Sequence, residues 1–268
     1  MKVGFVQFNP MFGDIEGNID RVTRLVEGAE ADLLVLPELF NTGYLFTSHE
    51  EVAELSEEIP GGRTTEALSM LARKKNVWIV GGLAERSGDN SYNSAVLVGP
   101  EGYRATYRKI HLFSEENLWF KPGDGEFQVY DIGHCTIGIM ICFDWIFPES
   151  MRVLSLMGAD LICHSANLVL PFCQDAMKTR CLENRAFAVT ANRTGTEERG
   201  GKSLSYTGKS QITDTRGKVL FQAGEGTEEV GIVEIDVTEA RDKELNQYNN
   251  LFGDRKTELY RIITDKKG

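Results

Sequence analysis

Three side chains of complementary chemistry, Glu38, Lys109 and Cys142, each stand at or near the carboxyl end of an apolar run. Glu38 follows the run 31–36, Lys109 falls near the end of 103–111, and Cys142 follows 136–141. In layered α/β proteins ligands collect beyond the carboxyl ends of strands, so separate strands can deliver such groups to one place. Together they suit covalent catalysis. A cysteine thiol, with a free pKa of roughly 8.5, is mostly protonated at neutral pH and needs a base. Glu38 can take that proton if burial lifts its own pKa. Lys109 brings positive charge to the place where an oxyanion forms. Cys142 is followed by Phe143-Asp144-Trp145-Ile146-Phe147-Pro148-Glu149, which reads as the mouth of a helix. The backbone N–H of Phe143, lacking an acceptor in a first helical turn, is the second oxyanion donor.

Taken singly, each residue has an ordinary explanation. An isolated Glu or Lys is usually solvated surface, and a buried cysteine is usually inert packing. Other chemistries compete. A Cys–His enzyme needs an imidazole, and His49, His111, His134 and His164 are present, with His111 nearest the proposed group. Cys163-His164 has no spaced partner for a metal. Gly201-Lys202-Ser203 and Gly208-Lys209-Ser210 carry Thr196 and Ser203 where a phosphate-binding loop needs its first glycine. Gly123-Asp124-Gly125 lacks the third glycine of a dinucleotide fingerprint and precedes a strand.

The elements that must position these groups follow from periodicity and punctuation. Short apolar runs at 3–8, 31–36, 77–82, 136–141, 160–164 and 188–192 read as buried strands. Helical spacing marks 18–28, 64–75, 147–158 and 175–187, and a short acidic helix fits 48–56. Strands at 91–98 and 103–111 meet across Gly99-Pro100-Glu101-Gly102, and 127–130, 206–212, 219–222 and 230–235 complete the strand set. Residues 197–201 read as a polar loop, and 241–268 as a charged tail carrying Tyr248, Phe252 and Tyr260. Alternating strands and helices imply an α/β layered fold with some antiparallel pairing, in one domain spanning 1–268.

The totals exclude some partners. The 268-residue chain has a net charge of −11, which argues against nucleic acid and against anionic lipid. Five cysteines without a CxxC pair do not suggest a disulfide framework. No apolar run approaches the roughly 18 residues of a membrane span. The chain enters a strand at once without a signal-like segment, so a cytoplasmic location is expected.

Read together, the segments resemble the nitrilase, or carbon–nitrogen hydrolase, superfamily. The likeness runs from Val6-Gln7 to about Gly217. It rests on Leu36-Pro37-Glu38, Tyr107-Arg108-Lys109-Ile110-His111-Leu112-Phe113, Phe120-Lys121-Pro122-Gly123, Gly138-Ile139-Met140-Ile141-Cys142-Phe143-Asp144, Phe147-Pro148-Glu149, Glu183-Asn184-Arg185 and Ala191-Asn192-Arg193. The resemblance implies a four-layer α-β-β-α sandwich, assembled as a homodimer or larger, and the aromatic-bearing 241–268 tail is expected to pack across that interface. It implies a Glu38–Lys109–Cys142 triad that uses no metal and no organic cofactor. It also implies a second glutamate that bonds the lysine and helps hold the substrate. Glu116 matches that place, with Glu115 beside it as the alternative. Tyr44, Glu116, Trp119, Trp145, Ala166 and Asn167 flank the triad segments and are expected to line the substrate pocket.

The flank after the cysteine narrows the reaction. Nitrile-cleaving members tend to carry Trp-Glu there, and Phe143-Asp144-Trp145 is more similar to the amidase branches. The expected activity is hydrolysis of a small aliphatic or ω-amide, with water as the second substrate. A carbamoyl hydrolase, a nitrilase and an idle binding subunit are the alternatives.

Overall fold

The computed structural model describes residues 1–265. Its strands are β1 (Lys2–Gln7), β2 (Leu33–Val35), β3 (Trp78–Ser87), β4 (Asn90–Gly99), β5 (Gly102–Arg108), β6 (Val129–Asp131) and β7 (Thr136–Ile141). They continue with β8 (Leu161–Ser165), β9 (Phe187–Ala191), β10 (Thr196–Arg199), β11 (Lys202–Ser205), β12 (Gln211–Thr213), β13 (Val219–Gln222) and β14 (Glu229–Glu234). The helices are α1 (Ile15–Glu27), α2 (His49–Leu55), α3 (Arg63–Lys75), α4 (Glu116–Trp119), α5 (Pro148–Leu156) and α6 (Cys173–Asn184).

Two six-stranded sheets run in the orders β14-β1-β2-β3-β4-β5 and β13-β12-β9-β8-β7-β6. Each has three mutually parallel strands at its heart, β1-β2-β3 and β7-β8-β9, flanked by antiparallel ones. The period-two alternation of strand side chains sorts the core. Val3, Phe5, Leu33, Val35 and Val80 face the other sheet and meet Ile137, Ile139 and Leu161 in one cluster. Their neighbours Val6, Leu34, Leu36 and Ile79 face outward, where Val22 and Val26 of α1 and Leu68 and Leu71 of α3 cover them. Met151 and Leu154 of α5 and Met177 of α6 cover the second sheet. The result is an α-β-β-α sandwich. Burial on both faces explains why the central strands read as unbroken apolar runs.

Several boundaries move for identifiable reasons. Helix α1 starts at Ile15, because the Asp14 carboxylate caps it by accepting from Gly17 N–H. Helix α6 stops at Asn184, where Arg185 turns left-handed at φ 47°. Strand β3 runs on to Ser87, since antiparallel pairing with β4 satisfies its polar end. The segment 197–201, read as a loop, instead belongs to a β10–β11 hairpin turning at Gly200-Gly201. The strand read at 206–212 shrinks to Gln211–Thr213. The tail folds partly onto its own subunit. The Phe252 ring faces the Arg152 guanidinium at 5.4 Å and the Lys243 ammonium at 4.9 Å, while Tyr248 stays 80% exposed. Tail positions 266–268 lie outside the described residues.

Candidate active site

Three strand ends place the three reactive groups. After β2 the chain turns through Pro37 and Glu38 while still bonded to β3: Leu36 N–H donates to Val80 O, Gly82 N–H to Pro37 O, and Phe40 N–H to Gly82 O. Gly82 has to be glycine, since a Cβ there would lie 2.6 Å from the Glu38 Cα. Leu39, next to Glu38, is left-handed at φ 46°. Lys109 follows β5 and is clamped through its backbone, donating to Asn93 O and accepting from Gly123 N–H, each at 2.8 Å. Cys142 follows β7 at φ 39°, in the first position of a 3₁₀ turn, Cys142–Ile146. Positive φ in non-glycine residues is costly, and here it falls at the nucleophile candidate and beside the carboxylate.

A buried aspartate holds the cysteine turn. Asp144 accepts from Ile141 N–H (2.9 Å), from the Tyr107 hydroxyl (2.7 Å) and from His111 N–H (3.3 Å), and pairs with His111 Nδ1 (2.8 Å). From β8, His164 meets the Cys142 carbonyl through Nε2 at 2.9 Å and Thr190 Oγ1 through Nδ1 at 3.2 Å. Burial pushes its pKa down to about 4, so it is neutral and donates to that carbonyl from Nε2. The rival Cys–His pairing is thus not made by either nearby imidazole. His111 is taken by Asp144 and stacked on Phe147, and His164 bonds the cysteine backbone. The Cys142 Sγ instead contacts Asn167 O at 3.8 Å.

The charged groups form one buried cluster. The Lys109 ammonium donates to Glu38 Oε1 (2.6 Å) and to Glu116 Oε1 and Oε2 (2.7 and 2.8 Å). All three of its hydrogens are thereby committed to carboxylates. Asn93 of β4 donates to Glu38 Oε1 at 2.6 Å and to Glu116 Oε2 at 3.4 Å. Tyr44 donates its hydroxyl to Glu116 Oε1 at 2.6 Å. Glu38 Oε2 is buried and has no partner among the described residues. Desolvation raises the Glu38 pKa, and Glu116 adds to this against the pull of Lys109 and Asn93. Burial works against the Lys109 charge, yet Glu116 and Glu38 outweigh it and leave its pKa raised. Burial also lifts the Cys142 thiol, with Glu38 adding to the rise and Lys109 opposing it. Cys173 is lifted by burial alone, which is what an inert packing thiol looks like.

A cavity of ≈ 120 Å³ adjoins this cluster, with Tyr44, Phe46, Phe113, Glu116, Trp119 and Leu204 among its walls. Of the residues expected at a pocket, Tyr44, Glu116 and Trp119 are there. Trp145 and Ala166 are buried in the same apolar cluster as Cys142 and do not line this cavity. Asn167 sits beside the thiol, its side-chain oxygen and nitrogen both buried without partners among the described residues. The Phe143 ring packs against Phe113 and Phe147, and Phe143 is the second residue of the 3₁₀ turn. Periodicity and motif reading missed Asn93, and named Asp144 and His164 without their role in holding the cysteine turn. A polar residue at an inward strand position was the available signal for Asn93 and His164, since buried polar groups require partners.

Among the described residues no helix is long and apolar enough to cross a membrane, and no group of three or more His, Cys, Asp or Glu is placed to hold a metal ion. A family model described as carbon-nitrogen hydrolase matches residues 2–243. The chain is 49% identical over 263 residues to a nitrilase of Pyrococcus abyssi, covering 97% of this chain and 99% of that one. It is 34% identical over 246 residues to an (R)-stereoselective amidase of a Pseudomonas species, covering 90% and 87%. In three dimensions it is similar to a carbon-nitrogen hydrolase from Helicobacter pylori G27, with a TM-score of 0.91, 23% identity and 99% coverage of both chains.

Proposed function

This chain belongs to the carbon–nitrogen hydrolase family, and from that premise we propose that it hydrolyses a small primary amide through a cysteine thioester. Glu38 carries the reading. One of its oxygens is anchored by Lys109 and Asn93, and the other is buried and without a hydrogen-bond partner among the described residues. Such an oxygen is a base held ready. The site also favours an amide over a nitrile. Glu38 Oε2, Asn93 Oδ1 and Asn167 Oδ1 are buried acceptors without donors among the described residues. An amide –NH₂ brings two donors to such acceptors, and a nitrile brings none.

The steps follow from these atoms. Glu38 Oε2 takes the thiol proton as Cys142 Sγ bonds to the carbonyl carbon, and the carbonyl electron pair moves to oxygen. The Phe143 N–H and the field of Lys109 stabilise that oxyanion. Because all three lysine hydrogens are occupied, Lys109 acts by charge and by holding Glu38 and Glu116 in place. Glu116 and Tyr44 orient the amide, and Trp119 bounds its acyl group. Glu38 then returns the proton to nitrogen, the C–N bond breaks, and ammonia leaves a thioester. Water attacks the thioester with Glu38 again taking a proton. The C–S bond breaks, the carboxylic acid departs, and Glu38 returns its proton to Sγ to restore the thiol.

Nitrile hydrolysis is the second reading, favoured by the Pyrococcus abyssi relative being named a nitrilase. Ammonia release from a panel of small amides, nitriles and N-carbamoyl amino acids separates the cases. We expect amide turnover by the native enzyme and none by a folded Cys142→Ala variant. Turnover confined to nitriles or carbamoyl compounds would overturn the amide reading, and amide turnover by the variant would overturn the nucleophile.

The expected homodimer is also proposed here. Val153, Leu156 and Met157 of the α5 region and Leu182 of α6 stand 39–53% exposed on the outer layer, where a second copy would cover them. Sedimentation at micromolar protein is expected to give a dimer; a monomer refutes it.

A further inference from the structure

The cavity beside Glu116 has a charge pattern that selects among amides. Its inner end is Glu116, whose side chain is 3% exposed, and its walls are mainly apolar, with Phe46, Phe113, Trp119, Phe120 and Leu204 beside the hydroxyl-bearing Tyr44 and Ser114. At the outer end two charged side chains, Lys202 and Glu115, complete the lining. The Lys202 ammonium donates to both Glu115 oxygens at 2.6 Å, with the side chains 52% and 41% exposed. Lys202 reaches this position because β10–β11 is a hairpin, and the hairpin is tied down from inside. Glu197 of β10 accepts from Leu45 N–H at 2.7 Å and from Tyr44 N–H at 3.2 Å, and pairs with the buried Arg193.

We infer that the Lys202–Glu115 pair acts as a specificity gate, so that the site takes an uncharged chain of about five or six heavy atoms beyond the carbonyl and discriminates against amides that carry a distal carboxylate. The size follows from the volume: ≈ 120 Å³ is less than the roughly 150 Å³ that accepts a benzene ring. The charge preference follows from pairing. A carboxylate placed among the aromatic walls loses its water, and it finds a partner only by taking Lys202 away from Glu115. That exchange strands the Glu115 carboxylate beside the incoming one. The inference rests on the proposed amide chemistry for the catalytic end of the cavity, and extends it to the acyl group.

The test compares two acyl groups of equal shape. Succinamate carries a carboxylate where 4-methylpentanamide carries an isopropyl group. The readout is the ratio of kcat/KM for the neutral compound to that for the charged one. The same ratio is measured on 4-methylpentanenitrile and 3-cyanopropanoate, so that a failure of the amide reading still leaves the gate decided. We expect the native enzyme to favour the neutral compound of the pair it hydrolyses. Glu115→Gln frees Lys202 and lowers the ratio by roughly three- to tenfold. Adding Lys202→Met to Glu115→Gln reverses that gain. A native ratio at or below one overturns the inference, as does a ratio that Glu115→Gln leaves unmoved. Turnover of none of the four compounds by the native enzyme overturns it as well.

Discussion

Glu115 and Glu116 are neighbours in the chain and opposites in the fold. Each bonds a lysine with both carboxylate oxygens at 2.6–2.8 Å. Glu116 and Lys109 are buried in a cluster that Glu38 joins through Lys109 and that Asn93 and Tyr44 join through Glu116. Glu115 and Lys202 face solvent. The same pair of functional groups therefore does different physical work. In the buried cluster, desolvation is large and one lysine is paired with two carboxylates, so removing it strands them. At the rim, water screens the pair, and its worth lies in what it excludes. Glu116, and not its neighbour, is the one in contact with Lys109.

Loss of the central cation is where the two regions differ most. Lys109→Met leaves Glu38 and Glu116 buried together, and we expect a loss of about 3–5 kcal/mol in chemical denaturation near neutral pH. Without the lysine the folded-state pKa of Glu38 rises further above its unfolded value. The stabilisation tied to its protonated form is fully present below the unfolded pKa and is lost as pH rises through the folded one. The variant should therefore recover part of its stability near pH 4. A loss independent of pH would remove the claim that charge, rather than packing, ties this cluster together.

The pH–rate profile probes the same cluster through function. Glu38 must be ionised to act as base, and burial followed by Glu116 raises its pKa above the ordinary 4.5. The acid limb of kcat/KM is expected above that value. Asn93→Ala removes a donor to the charged form, so it should move the limb to higher pH and cost about 1–3 kcal/mol of stability. A purely structural asparagine would lower stability and leave the limb where it was. The smallest effect belongs to the rim: Glu115→Gln should change stability by less than about 1 kcal/mol, and by less still in high salt. A larger loss there would erase the distinction between the two regions.

Much of the site was legible because it is local. Glu38, Lys109 and Cys142 each follow a strand whose apolar run announces it, and the residues on either side are specific enough to suggest a family. Asn93 and His164 were not legible, because an Asn or His within a strand carries no sign of which face it occupies or what it will meet there. The hairpin from Thr196 to Ser205 was missed for a related reason. Its residues are polar, and its place depends on Glu197 reaching Tyr44 and Leu45 about 150 positions away. Trp145 and Ala166 show the limit of local reading: both are buried in the same apolar cluster as Cys142, and neither is among the residues lining the small cavity.

The sequence by itself determined the order of strands and helices, the reactive groups at three strand ends, and the identity of the family. These depend on short-range pattern: apolar period, turn residues, and the chemistry of a few adjacent side chains. Only the tertiary structure decided that Glu38 has one anchored oxygen and one without a partner among the described residues, that the Cys142 turn is held by Asp144 and His164, and that Lys202 lines a small apolar cavity. Desolvation and pairing set those properties, and both arise only when segments far apart in the chain are brought together and water is excluded between them.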